Sequence, residues 1–189
     1  MATVSTSEFR KKLKIMVDGA PYIIVENQFV KPGKGQAFNR VKMKNMLDGR
    51  VLERTYKSGE SVEVADVSNT TATYNYNDGS TYFFMDKETF ETIEISKENM
   101  NGSENWLQEG TDCEVTFWGE RPIDVVLPNF MILTITDAPP GLRGDTTGSV
   151  SRPAIVETGA TVNIPLFVNE GERIKIDTRT GEYVERAKD

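Results

Sequence analysis

The chain contains no histidine and a single cysteine, Cys113, among 189 residues. Without histidine there is no commonest general base near neutral pH and no Ser-His or Cys-His nucleophile pair, which disfavours ordinary hydrolase chemistry. One cysteine cannot close an internal disulfide, and a zinc site would need one thiolate plus carboxylates, so neither a metal nor a cofactor is expected. No apolar run is long enough to cross a membrane. The opening residues, Met1-Ala2-Thr3-Val4-Ser5-Thr6-Ser7-Glu8, also lack the basic-then-apolar order of a signal peptide. A soluble cytoplasmic protein with no membrane partner is the expectation.

The apolar fraction of 38% supports folded domains, and the length allows one large domain or up to three small ones of roughly 60 residues each. Aspartate and glutamate number 29, so catalysis by paired carboxylates or by a lysine is formally open. In a chain this acidic most carboxylates are solvated surface, and the expectation is a protein that is not an enzyme.

The net charge of −7 conceals an asymmetry: residues 1–60 hold twelve Lys and Arg against six acids, which leaves that segment at +6 and the remainder at −13. A basic first third on an acidic body suggests that one end seeks phosphates, because screened attraction fades within a Debye length of about 8 Å. A solvated charged face is the alternative reading.

Period-2 apolar patterns and turn residues predict strands almost throughout. In the first segment these fall at 13–17, 22–25, 28–30, 39–44, 51–55 and 61–65, with turns at Asp18-Gly19, Leu47-Asp48-Gly49 and Lys57-Ser58-Gly59. A second unit begins near Val67, where strands at 72–76 and 81–85 flank the hairpin signal Asn77-Asp78-Gly79. Strands at 91–95, 112–118 and 122–127 follow, and 96–108 reads as the one plausible helix. Beyond Pro128 strands are expected at 131–136, 154–158, 162–164, 166–168, 173–176 and 182–186, interrupted by a long Gly/Pro/Thr-rich loop at 138–153. The pattern predicts an all-β protein of three small barrels, with domains at 1–65, 66–128 and 129–189. The second of these matches an OB-type barrel.

The most informative segment is Lys31-Pro32-Gly33-Lys34-Gly35-Gln36-Ala37-Phe38, which precedes the basic run Arg40-Val41-Lys42-Met43-Lys44. Pro32 fixes one backbone torsion, while Gly33 and Gly35 remove side chains on both sides of Lys34 and permit positive φ, so the lysine can project from a bare tip. Such a tip suits a narrow site or a modifying enzyme; an ordinary hairpin turn with a solvated lysine is the simpler reading. A phosphate loop is excluded, because no Ser or Thr follows Lys34, no glycine stands at the required earlier spacing, and the barrel pattern offers no helix to receive a phosphate.

The string KPGKGQAF, the triplet Gly144-Asp145-Thr146, the run Pro153-Ala154-Ile155-Val156-Glu157-Thr158-Gly159-Ala160, the segment Ile164-Pro165-Leu166-Phe167-Val168 and the ending from Ile176 to Val184 occur in order. Together they resemble bacterial elongation factor P, over essentially the whole chain. The resemblance implies an SH3-like (KOW-like) first domain and two OB-fold domains in an L-shaped, tRNA-like arrangement. It implies binding to the ribosome, through both subunits, beside the peptidyl-tRNA, with relief of stalling at consecutive prolines. The lysine matching Lys34 would be extended covalently by a β-lysyl-type group, added by a lysyl-tRNA-synthetase-like modifying enzyme. Lys31, Pro32, Gly33, Gly35, Gln36, Arg40 and Lys42 would form the loop and contact tRNA or rRNA. Gly144, Asp145, Thr146, Tyr183 and Arg186 would contact the small subunit or its RNA. A monomer is expected. Arg152, where many members have lysine, and Asn39, where a small or apolar residue is common, depart from the pattern. The family's paralogue group differs at the tip, and Lys34 argues against it. The rival from another class is a generic OB-fold single-strand binder using Tyr74, Tyr76, Tyr82, Phe83 and Phe84, whose simpler role is packing.

Overall fold

The computed structural model describes residues 1–140 and 150–187. Among these the protein is all-β, with strands in three successive sheet systems and only short 3₁₀ turns besides. By packing, the chain divides into two compact units, Met1–Asn69 with Thr116–Asp124, and Thr70–Val115 with Val125–Asp189.

The first sheet system comprises β1 (Thr3–Ser5), β2 (Lys14–Val17), β3 (Ala20–Val30), β4 (Phe38–Asn45), β5 (Val51–Lys57) and β6 (Ser61–Glu63). Strands β2-β3-β4-β5 form an antiparallel meander, and the ribbon β1-β6 joins it through a bridge between Ile15 and Val64. Strand β4 shows why this sequence makes a half-buried strand: Asn39, Val41, Met43 and Asn45 point inward while Arg40, Lys42 and Lys44 stay exposed. The inward apolar side chains meet Phe9, Ile15, Val17, Ile24 and Tyr56 in one core. The separate strands expected at 22–25 and 28–30 are a single strand. A bulge at Val25 absorbs the break in alternation, so the ladder to β4 continues from Tyr22 to Val30.

The departure at Asn39 has a physical account. Its side chain is almost wholly buried, at 4% exposure, and its Nδ2 donates to Asn27 Oδ1 at 2.9 Å. Asn27 Nδ2 in turn donates to the Phe9 carbonyl at 2.9 Å, so the buried Asn39 amide is tied to the backbone through the half-buried Asn27.

The middle sheet runs β11-β10-β7-β8-β9, from β7 (Val67–Asn77), β8 (Thr81–Asp86), β9 (Thr92–Ser96), β10 (Asp112–Trp118) and β11 (Arg121–Val126). The Asn77-Asp78-Gly79 turn forms as expected: Gly79 adopts φ +97°, and Asp78 Oδ1 accepts the amides of Ser80 and Thr81 at 2.9 and 2.8 Å. The helix expected at 96–108 does not form. Two 3₁₀ turns, Lys97–Met100 and Ser103–Asn105, stand there instead, separated by Asn101 and Gly102 at φ +52° and +86°. Two successive left-handed residues cannot continue a right-handed helix, and the broken path buries Met100 and Leu107.

The last barrel contains β12 (Phe130–Asp137), β13 (Ser151–Val156), β14 (Thr161–Pro165), β15 (Arg173–Asp177) and β16 (Glu182–Arg186), in the order β14-β13-β12-β15-β16. Its core is built from Met131, Leu133, Ile135, Ala154, Val156, Val162, Ile164, Val168, Ile174 and Ile176. The strand expected at 166–168 is a turn. Val168 N donates back to the Pro165 carbonyl at 3.1 Å, which drops Val168 into the core and leaves Leu166 and Phe167 exposed. Trp106 packs on this core from the segment after the second 3₁₀ turn, and Thr158 Oγ1 donates to the Asn105 carbonyl at 2.5 Å.

Candidate functional site

Residues 31–37 connect β3 to β4, and the ladder closes beneath them at the pair Val30 and Phe38. Lys31, Gly33, Lys34, Gly35 and Gln36 are exposed, whereas Pro32 and Ala37 are half-buried. Of the two glycines only Gly35 uses the left-handed half of backbone space, at φ +114°; Gly33 does not. A Cβ on Gly35 would meet Pro32 Cγ at 3.8 Å, while one on Gly33 would meet nothing within 4 Å. The proline and the second glycine therefore form the folded stem, and Lys34 lies at the open tip between them.

The loop is tied down on its β4 side. Ser58 N donates to the Ala37 carbonyl at 2.9 Å, and Gln36 Nε2 donates to the Ser58 carbonyl at 3.3 Å. The 57–60 turn that supplies Ser58 is itself fixed by the buried Thr6, whose Oγ1 accepts from Gly59 N at 3.1 Å. Sequence reasoning missed Ser58, because its role depends on β4 and β5 being neighbours.

Below the tip, Arg40, Lys42 and Lys44 form a row along the outer face of β4. Register places Lys57 beside Phe38, Thr55 beside Arg40 and Glu53 beside Lys42 on β5, with Glu26 beside Lys42 on β3. Arg40 Nε lies 3.7 Å from Glu53 Oε1, both groups half exposed, so this pair is solvent-screened and weak. Lys57 extends the row, and the two glutamates partly neutralise its middle. On the opposite face Asp18 pairs with Arg54 at 2.7 Å, which raises the Arg54 pKa and removes that cation from the outward set.

The second predicted cluster is only partly described: Gly144, Asp145 and Thr146 lie outside the described residues. Tyr183 and Arg186, three apart, would face opposite sides of a regular strand. The irregular register in β16, with Ile176 opposite Tyr183 and Ile174 opposite Arg186, brings them to one side. Tyr183 is half-buried against the barrel core. The Arg186 guanidinium pairs with Glu172 at 3.3 Å, lies 4.8 Å from the Phe167 ring centre and donates to the Phe167 carbonyl. Arg152, the other departure, donates to the carbonyls of Pro139 at 3.0 Å and Val168 at 2.8 Å, a fork that one lysine ammonium could not reproduce with the same geometry.

Tyr74, Tyr82 and Phe84 are core residues, and so unavailable to stack on a nucleic-acid strand. Cys113 is buried and its thiol is pushed up to about 12, first by desolvation and then by the nearby Asp112 charge, which leaves it without nucleophilic use. Among the described residues no group of three metal-ligating side chains exists, and no helix is long and apolar enough to cross a membrane.

Comparison with known proteins is consistent along the chain. Residues 5–62 match the model of the elongation factor P KOW-like domain, residues 67–125 that of the elongation factor P OB domain, and residues 131–186 that of the elongation factor P C-terminal domain. Among solved structures, the eukaryotic translation initiation factor 5A from Methanococcus jannaschii is similar at 25% identity, over 66% of this chain and 95% of that one, with a TM-score of 0.52. A translation initiation factor 5A family protein from Naegleria fowleri shares the fold at 14% identity, over the same fractions, with a TM-score of 0.55.

Proposed function

Since the chain belongs to the elongation factor P family and is a translation factor, we propose that it binds the ribosome beside the peptidyl-tRNA and promotes peptide-bond formation at consecutive prolines through a covalently extended Lys34. The observation that carries this reading is the loop: an exposed lysine between Pro32 and a left-handed Gly35, in a stem pinned to Ser58, above a row of cations. In this reading Arg40, Lys42, Lys44 and Lys57 hold the first barrel against phosphates, and Lys31, Gln36 and the loop backbone approach tRNA or rRNA. The three domains would be 1–65, 66–128 and 129–189, in a monomer.

The ribosome performs the chemistry. Proline is a constrained and slow reactant, so holding the peptidyl-tRNA in a reactive geometry lowers the entropic part of the barrier without any bond to the factor. A 10- to 100-fold effect corresponds to only about 1.4 to 2.7 kcal/mol, within reach of one or two ordered contacts from a β-lysyl-type extension. The extension requires a lysyl-tRNA-synthetase-like enzyme, for which a bare glycine-flanked tip is an accessible substrate. Tyr183 and Arg186, with Gly144, Asp145 and Thr146, would meet the small subunit or its RNA, and Arg186 would exchange Glu172 for a phosphate.

The test compares wild type, unmodified wild type, Lys34→Arg and Lys34→Ala on ribosomes translating a three-proline reporter and a proline-free control. Lys34→Arg keeps the charge but cannot accept the amide extension, so it should behave like Lys34→Ala on prolines while still binding ribosomes. Full activity of Lys34→Arg, or equal slowing of the proline-free control, refutes the reading.

A further inference from the structure

Tyr74 and Tyr76 are two apart on β7, and on a regular strand they would share a face. The register shift at Asn75 separates them: Tyr74 pairs with Phe84 in the core, and Tyr76 pairs with Phe83 on the outer face. Tyr76 is 53% exposed, and its ring stacks on Phe83 with centroids 4.6 Å apart and planes 19° from parallel. Across β8 the register sets Glu94 directly beside Phe83. Tyr76, Phe83 and Glu94 thus form one row across three strands, at a spacing of about 4.8 Å per strand. Glu94 is exposed and forms no ion pair among the described residues. The buried aromatics account for the core; in this outward pair Tyr76 is exposed and Phe83 is half-buried.

Charge says what covers it. Residues 70–115 carry ten acids against two cations, Lys87 and Lys97, and Lys87 is held by Asp112 at 2.5 Å. A nucleic-acid strand would be repelled by so acidic a segment, and a second copy would bring two such segments together. A guanidinium satisfies the whole row, because it stacks on an aromatic face while its N–H fork reaches a neighbouring carboxylate. We propose that Tyr76, Phe83 and Glu94 form a docking surface for an arginine-rich polypeptide segment, separate from the lysine loop and independent of the reading proposed for it. One arginine lies over Phe83 and pairs with Glu94, and the segment continues across the strands to Tyr76.

The test is fluorescence anisotropy of a labelled, aromatic-free peptide of about ten residues in which arginine alternates with serine, titrated with the full chain at moderate salt. Tyr76→Leu keeps apolar bulk but removes the π face, and Glu94→Gln removes the carboxylate from an exposed site that has no packing role. Each should weaken binding by about five-fold or more, as should replacing arginine by lysine in the peptide. Glu88→Gln, the same charge change at the 87–90 turn, should have little effect. Equal binding by Tyr76→Leu, or an equal loss in Glu88→Gln and Glu94→Gln, would reduce the interaction to unspecific attraction and overturn the proposal. So would a dimer in sedimentation that Tyr76→Leu abolishes, or displacement of the peptide by a single-stranded RNA that contacts the same residues.

Discussion

Asn39 Nδ2 donates to Asn27 Oδ1 at 2.9 Å, two residues beyond the end of the lysine loop. This bond, with the one from Asn27 to the Phe9 carbonyl, makes a polar link within an apolar core and anchors the base of the β3–β4 hairpin. Replacing Asn39 alone by Val should cost about 1–3 kcal/mol, because Asn27 is left part-buried with an unmet acceptor. The double change Asn27→Val with Asn39→Val should cost less than the sum of the two single changes. Urea denaturation of the four proteins measures this, and strict additivity would rule out the coupling.

The two loop glycines should respond unequally to alanine. Gly35→Ala forces a Cβ onto φ +114°, which should cost about 1–2 kcal/mol and reshape the tip, while Gly33→Ala meets open space. Amide exchange across residues 31–37 should change in the first variant only. If Lys34 is the modified residue, mass spectrometry after co-expression with the modifying enzyme should show reduced occupancy in Gly35→Ala and near-normal occupancy in Gly33→Ala.

Gly181 sits against an aromatic wall: at φ +73°, a Cβ there would fall 2.9 Å from Trp106 Cζ2. Gly181→Ala should destabilise the protein by about 1–3 kcal/mol through steric crowding and backbone strain together. The change should appear in tryptophan fluorescence and near-ultraviolet circular dichroism, with the far-ultraviolet spectrum retained. An unaltered thermal midpoint would contradict the contact.

Cys113 should resist thiol reagents in the native state at pH 8 and react on unfolding. Its pKa is raised to about 12 by burial, from an ordinary value of 9.0. The folded state therefore holds its proton more tightly than the unfolded chain. The resulting stability is fully present below pH 9 and is lost as pH rises toward about 12. Cys113→Ala should flatten the alkaline limb of the stability curve in that window, and an identical limb would show that the thiol contributes nothing to it.

The Asp78 carboxylate should titrate below the ordinary carboxylate range, because the backbone amides of Ser80 and Thr81 and the Ser80 hydroxyl donate to it. A lowered folded-state pKa stabilises above the unfolded value and is lost as pH falls through the folded one. Acidification should therefore loosen the 77–81 hairpin in wild type and have less effect there in Asp78→Asn. Carbon-detected NMR titration of the side chain reads the midpoint directly, and a midpoint at or above the model-peptide value would refute the turn bonds.

Local chemistry made much of this protein legible before any contact was known. Strict alternation from Asn39 to Lys44 assigns a two-faced strand with its cations outward, Asp-Gly pairs mark hairpins, and the glycines about Lys34 mark an open tip. Each of these signals is complete within a few residues, because it follows from side-chain period or backbone sterics. Pairing between distant strands decided the rest. Register set Lys57, Glu26 and Glu53 around the cationic row and brought Ser58 to the loop. Bulges at Val25 and Asn75 and the shift in β16 rejoined a strand, turned Tyr76 away from Tyr74 and aligned Tyr183 with Arg186. The apparent helix at 96–108 gave way to a broken path that buries Met100 and Leu107, against weak local propensity. A one-residue change of register reverses the faces of every residue after it, so which side chains reach the surface is settled only when the partner strand is in place.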